Sequence, residues 1–194
     1  MRKEKLFYFL FLLSFILIIF YAFYSKNFEY ILDTTVSIIL LSVLFFYYQD
    51  FYLNKIIFIL IFISLLLHDL GVFGFYNKSP LFFQYDHLTH FVGGFSLSIL
   101  FVNLFNNLKT NKNLLFLLAL LTALGVGSII EMSEYVGYLT LGEGEGFFYF
   151  GGTGDVNYDS IGGAWINSSV DQIFNLFGGI FGLLIYALIK KFFL

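Results

Sequence analysis

Six long apolar stretches constrain this chain more than any other feature. They lie near residues 6–24, 30–48, 55–76, 86–105, 114–138 and 170–189. Each is close to the roughly 20 residues that an α-helix needs to cross a bilayer. The chain is 59% hydrophobic and only 12% charged, which excludes an ordinary soluble globular protein. We therefore predict an all-α, polytopic membrane bundle of about six transmembrane helices, with residues 1–194 in a single domain.

The basic residues predict how this bundle is oriented. With the N-terminus in the cytoplasm, most of them fall on the cytoplasmic side: Arg2, Lys3, Lys5, Lys55, Lys109, Lys112, Lys190 and Lys191. Only Lys26 and Lys78 then fall outside. This excess is the positive-inside pattern, so we expect both termini to be cytoplasmic and the protein to reside in the cytoplasmic membrane. The first stretch ends without an A-x-A-like cleavage site, which indicates a retained signal anchor.

Ionisable and polar residues collect at one end of four predicted helices. They are His68 and Asp69 late in the third, Asp86, His87 and His90 at the start of the fourth, Glu131 and Glu134 late in the fifth, and Asp171 with Asn175 at the start of the sixth. A charge within hydrocarbon is costly and usually marks a functional site. Under the predicted orientation these residues lie in or near the outer third of the bilayer, so we predict one polar site there.

The first two helices contribute little of this kind. Their polar residues can bond back to the helix backbone or between helices, so we interpret them as scaffold. These residues are Ser14, Thr34, Thr35, Ser37 and Ser42. In the sixth helix, Gly178 and Gly182 have the small-residue spacing that lets helices approach closely. We expect this pair to pack within one chain and not to form a dimer, and the sequence predicts no oligomeric state.

The outward segment 141–169 is rich in glycine and aromatic residues and has no Lys or Arg. We expect an interfacial or partly re-entrant loop that covers the site, with a flexible surface loop as the alternative. Within it, Asp155, Asn157 and Asp159 match the start of a calcium-binding loop. The match stops there, because the usual Gly and the twelfth-position oxygen ligand are missing. We keep Asp155 and Asp159, with Asn175, as candidate substrate or loop residues.

The outward-facing groups are strongly acidic, and a divalent metal would explain them. Carboxylates crowded in a partly buried site cannot all stay ionised, so either some are protonated or a divalent cation neutralises them. The chain has no Cys, which leaves His and carboxylate donors that suit zinc, manganese or iron. The predicted metal ligands are His87, His90, Glu131 and Asp171. The predicted catalytic residues are Asp86 and Glu134, which would orient a ligand or activate water, together with His68 and Asp69.

Several short motifs resemble a known family. They are Tyr85-Asp86-His87-Leu88-Thr89-His90-Phe91 followed by Gly93-Gly94, then Glu131-Met132-Ser133-Glu134, Gly152-Thr153-Gly154-Asp155, and Asp171 ahead of Gly178-Gly179. Over roughly residues 83–185 they look like the bacterial YjdF-type inner-membrane proteins. Their order is also similar to that of VanZ-like membrane proteins, some of which are linked to glycopeptide-antibiotic resistance. A Lys commonly follows the first Asp in VanZ-like sequences, whereas His87 stands here, and neither resemblance implies a reaction.

Three functions are compatible with these observations. We favour an outward-facing, membrane-embedded and metal-dependent enzyme that processes a lipid or lipid-linked substrate, with membrane lipid as its partner and no nucleic acid. The rival is a proton- or ion-coupled transporter, although the cytoplasmic halves of the helices are almost devoid of charge. In the third hypothesis the polar cluster is architectural, and the chain has a structural or assembly role.

Overall fold

The computed structural model describes residues 2–76, 78–108, 110–141 and 161–193. It contains six α-helices, α1 (Arg2–Ser25), α2 (Glu29–Phe46), α3 (Lys55–Asp69), α4 (Tyr85–Phe105), α5 (Lys112–Leu141) and α6 (Ile161–Phe193), and a 3₁₀ helix (Leu70–Phe73) that follows α3. No strand occurs among these residues. The prediction of an all-α fold is confirmed.

Five of the helices are long and apolar enough to cross a membrane. The apolar part of α2, Tyr30–Phe46, is shorter and lies at the lower limit of roughly 17 residues for a spanning helix. Large apolar side chains face outward along the bundle, including Phe20, Phe46 and Ile129, each exposed by more than half. Exposed apolar side chains are stable in contact with lipid, as expected for an integral membrane bundle.

The last helix begins earlier than the hydropathy pattern predicted. The hydropathy pattern predicts a start at residue 170 and a loop over 141–169, but α6 already begins at Ile161. Polar residues such as Asn167 and Ser169 lower the hydropathy there, while helical hydrogen bonding continues through them. Residues 142–160, including Asp155 and Asp159, lie outside the described part of the chain.

Helices α4 and α6 pack with their backbones nearly in contact. A Cβ atom at Gly94 would collide with the carbonyl group of Asn175, and one at Gly178 would collide with the carbonyl group of Phe91. Small residues are what allow such an approach between helices in lipid. The result is that the first turns of α4 lie directly beside Asp171.

Asn54 caps the start of α3 by accepting a hydrogen bond from the Ile57 backbone N–H at 3.0 Å.

The turn after α3 determines which residues meet at the same end of the bundle. Beyond the 3₁₀ helix, Gly74 adopts the left-handed conformation with φ of 80°. This reversal turns the chain back over the end of α3 and brings Tyr76 onto His68.

Candidate functional site

The first turns of α4 supply two members of the site on one helix face. Asp86 and His90 are four residues apart, and Asp86 Oδ1 lies 3.1 Å from His90 Nε2. The Thr89 hydroxyl donates to the Asp86 carbonyl oxygen at 2.7 Å and lies 3.3 Å from Asp86 Oδ1. Asp86 is in the first turn of its helix, where the helix dipole favours a negative charge.

Two further helices bring carboxylates to the same imidazole. From α5, Glu131 Oε1 lies 3.1 Å from His90 Nδ1. From α6, Asp171 Oδ1 lies 4.0 Å from His90 Nε2, and Asn175 Nδ2 lies 3.4 Å from His90 Nδ1. Asp86, Glu131 and Asp171 are all buried, with exposed fractions of 5%, 3% and 1%. His90 is therefore surrounded by three buried carboxylates.

Several buried carboxylate oxygens in this site make no hydrogen bond of good geometry. They are Oδ1 of Asp171 and both oxygens of Glu131, although Glu131 Oε1 lies 3.1 Å from His90 Nδ1. Asp171 Oδ2 accepts from Asn167 Nδ2 at 3.1 Å. Among the described residues, the cationic partner of these carboxylates is His90, and no Lys or Arg pairs with them. Burying ionised carboxylates costs free energy unless they are protonated or a cation neutralises them.

Asp86, His90 and Asp171 have the geometry of a metal-ligand group. Each offers one ligand atom, and these atoms all lie within 4.8 Å of one another. An imidazole nitrogen with two carboxylate oxygens is a donor set that suits a divalent cation. With Nε2 in this group, Nδ1 remains for Glu131, which matches the usual outer-shell orientation of a ligating histidine by a carboxylate.

The predicted ligand His87 lies elsewhere on α4. Its ring stacks on Phe174 of α6, with ring centroids 4.1 Å apart and an interplanar angle of 11°. The structure thus brings His90, Glu131 and Asp171 together as the sequence indicated, with Asp86 and not His87 as the nearest α4 neighbour of His90. Whether any of these residues ligates a metal stays a prediction.

A second polar cluster forms beside the first, between α2 and α3. His68 Nε2 lies 3.5 Å from Asp33 Oδ2, and His68 Nδ1 lies 3.0 Å from the Tyr76 hydroxyl. Asp69 is fully buried next to them, and neither of its oxygens makes a well-formed hydrogen bond. His68 and Asp69 were predicted as catalytic, and the structure places them in this second cluster, which we call the Asp33 cluster.

Glu134 lies within electrostatic range of both clusters. Its charge interacts with His90 and Asp86 on one side and with His68 and Asp33 on the other. The polar end of the bundle thus extends across five helices, from α2 to α6.

Asp33 was not predicted from the sequence. It lies in the predicted span 30–48, among the hydroxyl residues that we interpreted as scaffold, yet it is buried and faces His68. The signal that could have found it is its charge, since an ionisable residue inside an apolar stretch needs a partner. Tyr76 carries no such signal, because its contact with His68 depends on the turn after α3. Thr89 carries none either, because a hydroxyl group that bonds one turn back is ordinary in a helix.

Comparisons with known proteins identify a family. No curated protein and no solved structure matches the chain. A family model described as a predicted membrane protein, DUF2238, matches residues 6–192. The YjdF-type resemblance refers to this family, whereas the VanZ-like resemblance finds no support. The chain belongs to the DUF2238 family of predicted membrane proteins.

Proposed function

We propose that this protein is a divalent-metal-dependent membrane enzyme that acts on a lipid or lipid-linked substrate. The observation that carries the proposal is the set of three buried carboxylates that face the single imidazole of His90. A divalent cation between Asp86, His90 and Asp171 would compensate their charge and use a donor set that such ions prefer. Glu131 would then orient the imidazole through Nδ1.

A metal held there would supply Lewis-acid chemistry and an activated water. Glu134 is a further carboxylate that could exchange a proton with a substrate, since its charge interacts with both His90 and Asp86. No Lys or Arg pairs with these carboxylates in the described part of the chain, so a phosphate group would be held through the metal and not by basic side chains.

The depth of the site favours a lipid substrate. His90 lies five residues from the start of α4 at Tyr85, which is about 7.5 Å along the helix axis. Asp171 lies six residues into the apolar part of α6 that begins at Trp165, or about 9 Å. Groups this close to the start of a spanning helix would be within reach of the polar head and glycerol region of a lipid. Under the predicted orientation this is the outer leaflet.

Elemental mass spectrometry of the purified, detergent-solubilised protein tests the metal site. The protein is loaded separately with Zn²⁺, Mn²⁺ and Fe²⁺, and unbound ions are removed. We expect about one equivalent of one metal in the wild type, its loss in His90→Ala, and its retention in His87→Ala, which removes an imidazole from the same helix outside the group. A folded wild type that retains none of the three metals contradicts the proposal.

Lipid analysis of cells that overproduce the protein tests the substrate class. We expect wild type to alter the envelope lipids and Asp171→Asn to leave them as in cells without the protein, at equal abundance in the membrane. Identical lipid profiles for wild type and Asp171→Asn, with metal bound in the wild type, would reject a lipid substrate.

A further inference from the structure

Helices α5 and α6 form an apolar groove on the lipid-facing surface, below the candidate site. Its volume is about 230 Å³, and three side chains from each helix line it: Phe116, Leu117, Leu120, Ile180, Leu183 and Leu184. The two helices meet at its floor, because Leu183 is buried and a Cβ atom at Gly179 would lie 2.8 Å from Leu120 Cδ1. The groove therefore suits a purely apolar ligand.

A row of residues on each helix continues from this groove toward the level of Asp171. Residues four apart share a helix face, and the rows are Ile180, Leu176 and Gln172 on α6, and Leu120, Leu124 and Ser128 on α5. They meet at the ends nearest the site, where Ser128 Oγ donates to Gln172 Oε1 at 3.1 Å. Leu124 and Leu176 are only half-buried. We call these two rows and the groove the α5–α6 seam.

The end of the seam nearest the site carries an unused hydrogen-bond donor. Gln172 Oε1 accepts from Ser128, and Nε2 of the same amide remains available as a donor. This Nε2 atom is buried and has no hydrogen-bond partner among the described residues. A buried donor without an acceptor costs free energy, so a ligand oxygen placed there would be stabilising. Gln172 directly follows Asp171, which puts that oxygen beside the candidate metal centre.

The groove lies at the depth that a lipid acyl chain reaches from this donor. Ile180 and Leu184 lie eight and twelve residues after Gln172, or about 12 and 18 Å along the helix axis. An extended hydrocarbon chain advances about 1.25 Å per carbon, given bonds of about 1.5 Å and angles of about 111°. A chain whose ester carbonyl is at Gln172 therefore enters the groove at roughly carbon 10 and reaches its far end at roughly carbon 15.

We propose that the α5–α6 seam binds one acyl chain of the lipid substrate. Gln172 Nε2 donates to the ester carbonyl oxygen, and the groove selects chains long enough to fill it, of about 14 carbons or more. Gln172 already lies about 10 Å into the apolar part of α6, so such a chain passes the middle of a roughly 30 Å hydrocarbon core and needs apolar protein surface there. The inference rests on the proposed function, because it identifies the substrate of that site as an acyl-ester lipid.

Native mass spectrometry of the full-length, detergent-solubilised protein tests the seam directly. Two competitions use equimolar phosphatidylcholines. The first sets 16-carbon against 10-carbon diester chains, and the second sets 16-carbon diester against 16-carbon diether chains, which have no carbonyl oxygen to accept from Gln172. We expect the wild type to retain the 16-carbon diester at least fivefold over either competitor.

Two substitutions separate recognition of the chain from recognition of the ester. Ile180→Trp fills the groove, so it is expected to lower the chain-length preference at least threefold and to leave the ester preference unchanged. Gln172→Leu removes the donor and is expected to do the reverse. Leu121→Trp is the matched control, because Leu121 is an exposed residue of α5 that does not line the groove. If Ile180→Trp and Gln172→Leu, both folded, show the wild-type preferences, the inference is overturned.

Lipid analysis of cells that overproduce the protein separates this inference from the proposed function. We expect the lipids that wild type alters to shift toward shorter chains in Ile180→Trp, with metal content as in wild type. An unchanged chain-length distribution, despite altered binding in detergent, would mean that the seam holds a lipid other than the substrate, and it would overturn the inference. If the wild type shows both preferences but binds no metal, the metal proposal fails and the seam stands as a lipid-binding site.

Discussion

Glu131 Oε1 lies 3.1 Å from Nδ1 of His90, on the nitrogen that faces away from Asp86. The imidazole is therefore held between two carboxylates from different helices, one on each nitrogen. The two contacts are not equivalent, because Asp171 also approaches Nε2. On that side, the imidazole nitrogen, an Asp86 oxygen and an Asp171 oxygen are three possible ligand atoms. In the proposed metal site, Glu131 would therefore orient the imidazole and Asp86 would belong to the ligand group.

Glu131→Gln is expected to weaken metal binding without removing it. The substitution keeps the side-chain size but replaces the carboxylate that orients Nδ1, and loss of such a partner typically costs about 10- to 100-fold in metal affinity. Competition with a chromogenic chelator measures the change. Asp50→Asn is the control, because Asp50 is exposed in the turn that follows α2, away from Asp33. Equal affinity in Glu131→Gln and wild type would contradict this role, and complete loss of metal would make Glu131 a ligand.

The close packing of α4 on α6 predicts unequal effects of glycine substitutions. At Gly178 an added methyl group meets the backbone carbonyl of Phe91, which cannot move aside as a flexible side chain could. We expect Gly178→Ala to lower stability by about 1–3 kcal/mol and to reduce metal content, because the helices separate where Asp171 lies beside His90. Thermal unfolding in detergent measures the stability, with elemental analysis as the second readout.

Gly125→Ala is the matched substitution on α5. A Cβ atom at Gly125 has open space within 4 Å, and the residue is exposed. Because alanine favours a helix over glycine by about 1 kcal/mol, this variant is expected to be as stable as wild type or more so, with full metal content. Equal stability of the two variants would show that the α4–α6 contact is less constrained than the structure indicates.

The fold could be predicted from the sequence because hydrophobic length is a local property. Each apolar stretch is long enough to require a helix, whatever its neighbours are, and all six predicted helices are present. Which residues become neighbours within the site is not a local property of the sequence. Asp86 and His87 both share a face of α4 with His90, at spacings of four and three, so periodicity alone cannot choose between them. The difference between them depends on α6, because Phe174 stacks on the His87 ring.

The Asp33 cluster shows a second limit of sequence reasoning. A single Asp in an apolar helix identifies a buried charge but not its partner. The partner, His68, meets Asp33 only because α2 and α3 pack side by side, and Tyr76 joins them only because the chain reverses at Gly74. Long-range contacts of this kind are set by packing and by one turn, which hydropathy does not encode.

The orientation of the bundle can be tested by cysteine labelling, because the chain has no natural Cys. Phe82 is 98% exposed between α3 and α4, and Asn107 is exposed between α4 and α5. From the distribution of Lys and Arg, we expect Phe82→Cys to react with a membrane-impermeant maleimide in intact cells and Asn107→Cys to react only after permeabilisation. The reverse pattern would place the site at the cytoplasmic surface and the lipid substrate in the inner leaflet.

The apolar layer beneath the site predicts that the protein does not transport the ion that we propose it binds. Between α4, α5 and α6, buried Val102, Leu115, Ala119 and Leu183 pack together at the end of the bundle away from His90. Ion and proton paths through membrane proteins are lined by polar groups or water, and apart from the partly buried Tyr186 the side chains of this cluster are apolar.

We therefore expect proteoliposomes that contain wild type to show the same Zn²⁺ and proton flux as empty liposomes. Dyes trapped inside the vesicles, one sensitive to zinc and one to pH, measure both fluxes, and an ionophore confirms that the vesicles respond. Flux that requires wild-type protein and disappears in Asp171→Asn would contradict the enzyme proposal and favour transport. The buried carboxylates would then be steps in a path that opens through the apolar layer, and substitutions at Val102 or Leu183 should alter the flux while leaving metal content unchanged.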